Sequence, residues 1–189
     1  MKKYMIVIAL AVLGACSGED KKTEEAKHDA PLEQSKNSED FNASFSIFLD
    51  NYYHLKDALV LTNDTMANAS AQLLVNNSDS LDLNSINADS SIVEMAKGYI
   101  ETISAEAKGL IGEINIEGKR KSFQMISDNM YDLVRTTRYD REKVYHQFCP
   151  MAFDDAGAYW LSKSGDIKNP YFGKKMLTCG EVKDSLDFR

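Results

Sequence analysis

The sequence predicts a mainly α fold: an up-and-down four-helix bundle followed by a small irregular/β C-terminal cap. Three observations carry that expectation. Apolar residues recur at helical spacing in four successive stretches between Phe41 and Tyr139. The links between the stretches are short, which favours antiparallel neighbours. Beyond Val144 the helical stripes vanish. Glycines at 157, 165, 173 and 180, prolines at 150 and 170, and aromatic residues at 145, 148, 153, 159, 160, 171 and 172 replace them.

The first helix carries Phe41, Phe45, Phe48, Leu49, Tyr52, Leu55 and Leu59 on one stripe. Asn63 or Asp64 caps the second, with Met66, Ala69, Leu73 and Leu74 expected to face inward. Residues 76–89, rich in Ser, Asn and Asp, read as a loop with room for one helical turn. Ser91 and Glu94 have the spacing of a capping box for the third helix, whose inner stripe is Val93, Ala96, Ile100, Ile103, Ala107 and Leu110. The fourth, about Glu117 to Tyr139, turns Phe123, Ile126, Met130, Leu133 and Val134 inward. In the tail, Val144–Phe148 and Ala158–Leu161 are expected to be extended.

The N-terminus has a different character. Lys2 and Lys3, an apolar run from Met5 to Leu13, and Leu13-Gly14-Ala15-Cys16 form the charged, apolar and small-residue order of a secretion signal. The run is too short for a membrane span, which takes roughly 20 residues. Leu13-Gly14-Ala15-Cys16 resembles the lipobox at which a lipoprotein signal peptidase cuts before a lipidated cysteine. The expected organisation is therefore a signal peptide over 1–15, a flexible polar tether over 16–40, and a single helical domain over 41–189 with its cap at 141–185. A lipid on Cys16 would hold the protein at the cell envelope, because acyl chains contribute about 0.8 kcal/mol per buried CH₂. Glu19-Asp20 after the cysteine resembles the surface-export signal of Bacteroidetes lipoproteins. An outer-membrane position is expected, facing the periplasm or the cell surface.

Loss of residues 1–15 removes Lys2 and Lys3 and no acid, leaving 20 basic against 29 acidic residues. That balance argues against nucleic acid as a partner. No glycine-rich phosphate loop, nucleophile elbow, zinc-protease helix or Cys-x-x-Cys pair is present, so a non-enzymatic role is expected.

With Cys16 taken by lipid, Cys149 and Cys179 remain, and each has a methionine nearby: Cys149-Pro150-Met151 and Met176-Leu177-Thr178-Cys179. Residues two apart in a strand share a face, and residues three apart in a turn can meet. His146 adds an imidazole three positions before Cys149. Thiolate and thioether together suit Cu(I), and by the same softness Ag(I), far better than magnesium, calcium or manganese. Zinc prefers four Cys or His ligands. Spacing alone leaves three readings open: a Cys149–Cys179 disulfide with no metal, a soft-metal site, and inert thiols. An exported protein with two cysteines often forms a disulfide, and the eight methionines of the chain serve readily as core filler.

Four motifs run in order through the tail: Tyr145-His146-Gln147-Phe148-Cys149-Pro150-Met151-Ala152, Gly157-Ala158-Tyr159-Trp160-Leu161-Ser162, Ile167-Lys168-Asn169-Pro170-Tyr171-Phe172-Gly173, and Met176-Leu177-Thr178-Cys179-Gly180. With Tyr53-His54-Leu55-Lys56-Asp57-Ala58-Leu59-Val60 in the first helix, they resemble a Bacteroidetes envelope domain of unknown function. That domain occurs as standalone lipoproteins and as a C-terminal extension of periplasmic adaptor subunits of copper/silver efflux pumps. The resemblance covers about residues 41–185. It implies copper or silver handling, with efflux-pump components as partners, and singles out Cys149, Met151, Met176 and Cys179 as ligands, with His146 beside them. The chain lacks an adaptor's long hairpin and barrel portions, so the implied role is to hold or hand over the ion.

Other conspicuous residues read more plainly. His54 is a surface or packing histidine, His28 lies in the tether, and Asp154-Asp155 is a turn. Trp160 and Tyr159 are expected to cover the small core of the tail. Lys119-Arg120-Lys121 reads as a solvated helix start.

Overall fold

A computed structural model describes residues 36–189. The expectations for the signal peptide, for Cys16, and for the tether up to residue 35 fall outside the described residues. Four long helices follow one another: α1 (Glu39–Val60), α2 (Asp64–Ser78), α3 (Ser90–Gly112) and α4 (Ile116–Thr137). Each packs on the next, as an up-and-down bundle requires. Helix α1 starts at Glu39, because the Ser38 side chain accepts the Phe41 N–H and caps it. All seven stripe residues of α1 are buried, and Tyr52 stacks on Phe123 of α4 with ring centroids 5.4 Å apart. Asn63 caps α2 through the Met66 N–H, and Asn115 caps α4 through the Gly118 N–H. A short 3₁₀ turn, Leu83–Ser85, lies in the loop between α2 and α3.

Three details differ from the sequence reading. Helix α2 buries Ala67, Ala71, Leu74 and Val75, while Met66, Ala69 and Leu73 face solvent. Small residues let this helix lie close to its neighbours, and bulk alone misjudges which face that is. Helix α3 is preceded by Asp89 as its N-cap residue, so Ser91 sits inside the first turn and the capping box does not form. Lys119 and Arg120 are buried rather than solvated, at 0% and 3% exposure. The Lys119 ammonium donates to the Leu110 and Glu113 carbonyls at 3.0 and 2.8 Å and to Asn68 Oδ1 at 2.8 Å, satisfying the C-terminal end of α3. Arg120 Nε donates to the Pro170 carbonyl at 2.9 Å and Nη2 to the Leu59 carbonyl at 3.3 Å, tying the end of α1 to the C-terminal region.

That region is a three-stranded antiparallel sheet in the order β2-β1-β3, formed by β1 (Val144–Cys149), β2 (Ala158–Ser162) and β3 (Glu181–Leu186). The expected extended pieces are β1 and β2. The outermost strand β3, with Glu181, Val182, Lys183 and Asp184 exposed, has no counterpart in the sequence reading. Strand β2 packs against α4 and α1. One phenol at this join serves both sides: the Tyr52 hydroxyl accepts the Leu161 N–H at 2.9 Å and shares a hydrogen bond with Ser127 Oγ at 2.8 Å. No helix among the described residues is long and apolar enough to cross a membrane.

Candidate metal centre

The sulfur-bearing segments meet because of β3. In its ladder Gln147 faces Val182 and Phe148 faces Glu181. The antiparallel register therefore brings the chain just before β3, Cys179-Gly180, alongside the end of β1, where Cys149 lies. Cys149 Sγ and Cys179 Sγ stand 3.5 Å apart. Cys149 is fully buried and Cys179 is partly so.

Several residues hold that approach. Gly180 has φ +142°, and a Cβ there would lie 2.8 Å from the Phe148 carbonyl oxygen and 2.9 Å from the ring of the buried Trp160. Only a residue without a side chain lets the backbone close on β1 at this point. Asn169, with no exposed surface, donates through Nδ2 to the Cys179 carbonyl at 2.7 Å. Its Oδ1 accepts the Tyr171 N–H at 2.8 Å and the Phe172 N–H at 3.2 Å. Gln147 Nε2 donates to the Ser164 and Asp166 carbonyls at 2.9 and 3.3 Å, pinning the loop after β2. Asn169 and Gln147 position the site without carrying its chemistry. The sequence reading passed over both; an Asn-Pro beside aromatic residues was the available signal for Asn169.

Burial, with the hydrogen bond and charge of Cys149 added to it, pushes the Cys179 thiol above its ordinary pKa. At neutral pH Cys179 is therefore a protonated thiol, and a metal ion must displace its proton to bind.

The other sulfurs form a second group. Met151, at 46% exposure, and Met176, partly buried, line one cavity of about 470 Å³ together with Phe153, Phe172, Asp154 and Asp155. The Cys179 N–H donates to the Met176 carbonyl at 3.1 Å, so Met176 is fixed relative to one thiol. The segment Ala152–Asp155 makes a single turn in which Phe153, Asp154 and Asp155 have φ of +53°, +56° and +67°.

His146 stands apart from the thiols. Successive side chains of a strand alternate faces, and His146 shares its face with Phe148 rather than with Cys149. Its ring stacks between Tyr131 and Tyr159, with centroids 3.9 and 4.6 Å away. Tyr159 in turn stacks on Phe148 at 4.5 Å. Desolvation lowers the His146 pKa against the opposing pull of Asp184 and Asp132, so the imidazole is neutral at pH 7. The expectation of His146 beside the cysteines gives way to an aromatic ladder on the other face of the sheet. His54 is exposed on α1. Trp160 is buried in the small core of the cap as expected, whereas Tyr159 belongs to the ladder.

Among the described residues, no group of three or more His, Cys, Asp or Glu is placed to hold a metal ion. The donor set here is two thiols with two thioethers nearby in the chain, a soft set by composition. A family described as protein of unknown function (DUF3347) matches residues 48–142, which is α1 from Phe48 through the end of α4 and stops short of β1. No curated protein and no solved structure matches the chain.

Proposed function

This chain belongs to the family of proteins of unknown function DUF3347, and from that premise we propose that it is an envelope-tethered lipoprotein that binds Cu(I) or Ag(I) as cargo through the Cys149–Cys179 pair. The observation that carries the reading is the 3.5 Å between the two sulfurs. Two metal–thiolate bonds of about 2.3 Å, the value for zinc, would set the sulfurs of a linear two-coordinate ion about 4.6 Å apart. The thiols would part by about 1 Å to share one ion. Two protons leave as the ion enters, one from each thiol, so uptake strengthens with rising pH. The buried setting of Cys149 keeps water from competing, and two sulfur donors favour a soft monovalent ion over magnesium or calcium.

The role is to hold the ion and pass it on, not to transform a substrate. A lipid on Cys16 would anchor the domain, and the resemblance of the tail to envelope domains of copper/silver efflux adaptors supports an efflux component as the recipient.

One second reading has an observation of its own. Closing 3.5 Å to a disulfide of about 2.05 Å would lock β1 to the Cys179 loop, making the domain a structural or interaction module. A thiol count on purified, non-reduced protein separates the two, followed by anaerobic Cu(I) titration of the reduced protein against a chelator. One tightly held copper, lost in Cys149→Ser and in Cys179→Ser, is the expected result. A stable disulfide and no copper uptake after reduction would sink the metal reading.

A further inference from the structure

We propose that Met151 and Met176 form a separate outer site that captures the soft ion before the thiol pair takes it. The inference rests on the soft-metal reading of Cys149 and Cys179 and divides the four sulfurs between two stations. The two thioethers come from segments far apart in sequence and line one cavity of about 470 Å³. Neither thiol is among the residues lining it, and Cys149 has no exposed surface. Met151 holds 46% of its surface open, so an ion in solvent can reach its thioether directly.

The chemistry of the two stations is complementary. A thioether has no proton to lose, so the outer pair accepts Cu(I) or Ag(I) at any pH and in either redox state of the cysteines. The thiols bind more strongly, but only after losing their protons, and Cys149 has no surface open to solvent while neither thiol lines the cavity. Capture is therefore easiest at the methionines and retention at the cysteines. Asp154 and Asp155 at the cavity add negative charge that raises the local cation concentration without selecting among cations. Glu117, also at the cavity, is held by Arg120 at 2.7 Å and contributes less. The path between stations is short in the chain, two residues from Met151 to Cys149 and three from Met176 to Cys179.

The test is Ag(I) titration of the full chain with ¹³C-methyl methionine labels, in wild type, in Cys149→Ser/Cys179→Ser and in Met151→Leu/Met176→Leu. In the cysteine variant, one Ag(I) is expected to bind about tenfold or more weaker than in wild type. It should shift the methyl signals of Met151 and Met176 and stay bound in excess magnesium. In the methionine variant, the thiols should still take one ion, with loading slowed several-fold. Three results would overturn the inference. In the first, the cysteine variant takes up no silver. In the second, magnesium displaces what it takes up. In the third, the methionine variant loses the tight ion entirely, which would make the four sulfurs one centre and leave the proposed function standing. Silver bound by the cysteine variant, with none held by wild-type thiols, would instead keep the outer site and remove the thiol reading.

Discussion

The bundle and the cap share one core but fix their loops and ends differently. In the bundle, the stripe residues of α1, α3 and α4 form a core of carbon in contact with carbon, and each contributes a share of the burial energy at about 25 cal/mol per Å². In the cap, Val144, Trp160, Leu161 and Leu186 join that core, but the loops are placed by a few polar side chains aimed at backbone: Asn169 at the Cys179 carbonyl, Gln147 at the loop after β2, and Tyr171 Oη at the Tyr159 carbonyl. The first arrangement spreads its energy over many residues and tolerates local change. The second concentrates placement in single hydrogen bonds around the point where the Cys149 and Cys179 sulfurs stand 3.5 Å apart.

The contrast can be broken first where a bundle residue behaves like a cap residue. Lys119→Met would leave the Leu110 and Glu113 carbonyls without their buried donor, at a cost of about 2–3 kcal/mol. The denaturant midpoint should fall accordingly while copper stoichiometry at low temperature holds. A change in stoichiometry would show that the cap depends closely on the bundle. Gly157→Ala acts on the cap itself. Its φ of +80° and a Cβ 2.4 Å from the Phe148 ring predict a loss of about 2 kcal/mol. Hydrogen exchange should speed up in β1 and β2 and stay slow in α1 and α4.

The smallest effect sharpens the comparison through pH. Burial, with Asp132 adding to it, pushes Asp128 on α4 up to about 6 from 3.8. The folded state then binds this proton more tightly than the unfolded chain, so stability falls as pH rises from about 4 to 6, and the penalty persists at pH 7. Asp128 is only about half buried, so solvent screening reduces the penalty. Asp128→Asn should stabilise by about 1 kcal/mol at pH 7 and have no effect below pH 4, read from thermal midpoints. His146 runs the other way. Its folded pKa lies below the unfolded 6.5, so its contribution is complete above 6.5 and is lost as pH drops below that.

How far the sequence could be read follows the same division. The stripe Phe123, Ile126, Met130, Leu133 and Val134 is buried throughout, because periodicity reports burial wherever carbon packing decides it. Lys119 and Arg120 escaped because a cation is drawn inside by partners distant in sequence, such as Leu59 and Pro170, and nothing local distinguishes it from a solvated one. Strand β3 escaped because Glu181-Val182-Lys183-Asp184 lies exposed and shows no alternation to detect. Pairing of the cysteines was one of three readings that spacing left open. Their approach comes from the ladder that the unseen strand forms. His146, three residues from Cys149, was assigned by proximity in sequence, whereas the alternation of a strand puts it on the opposite face.

The charged character of β3 has a consequence for life at high density. As the outermost strand of the sheet, it carries unpaired backbone donors and acceptors along one side, which invite another copy to add a strand. Glu181, Lys183 and Asp184 set exposed charges along that border, so adding a strand there would strip water from them. The border that closes the sheet is thus one that a second copy gains little by joining.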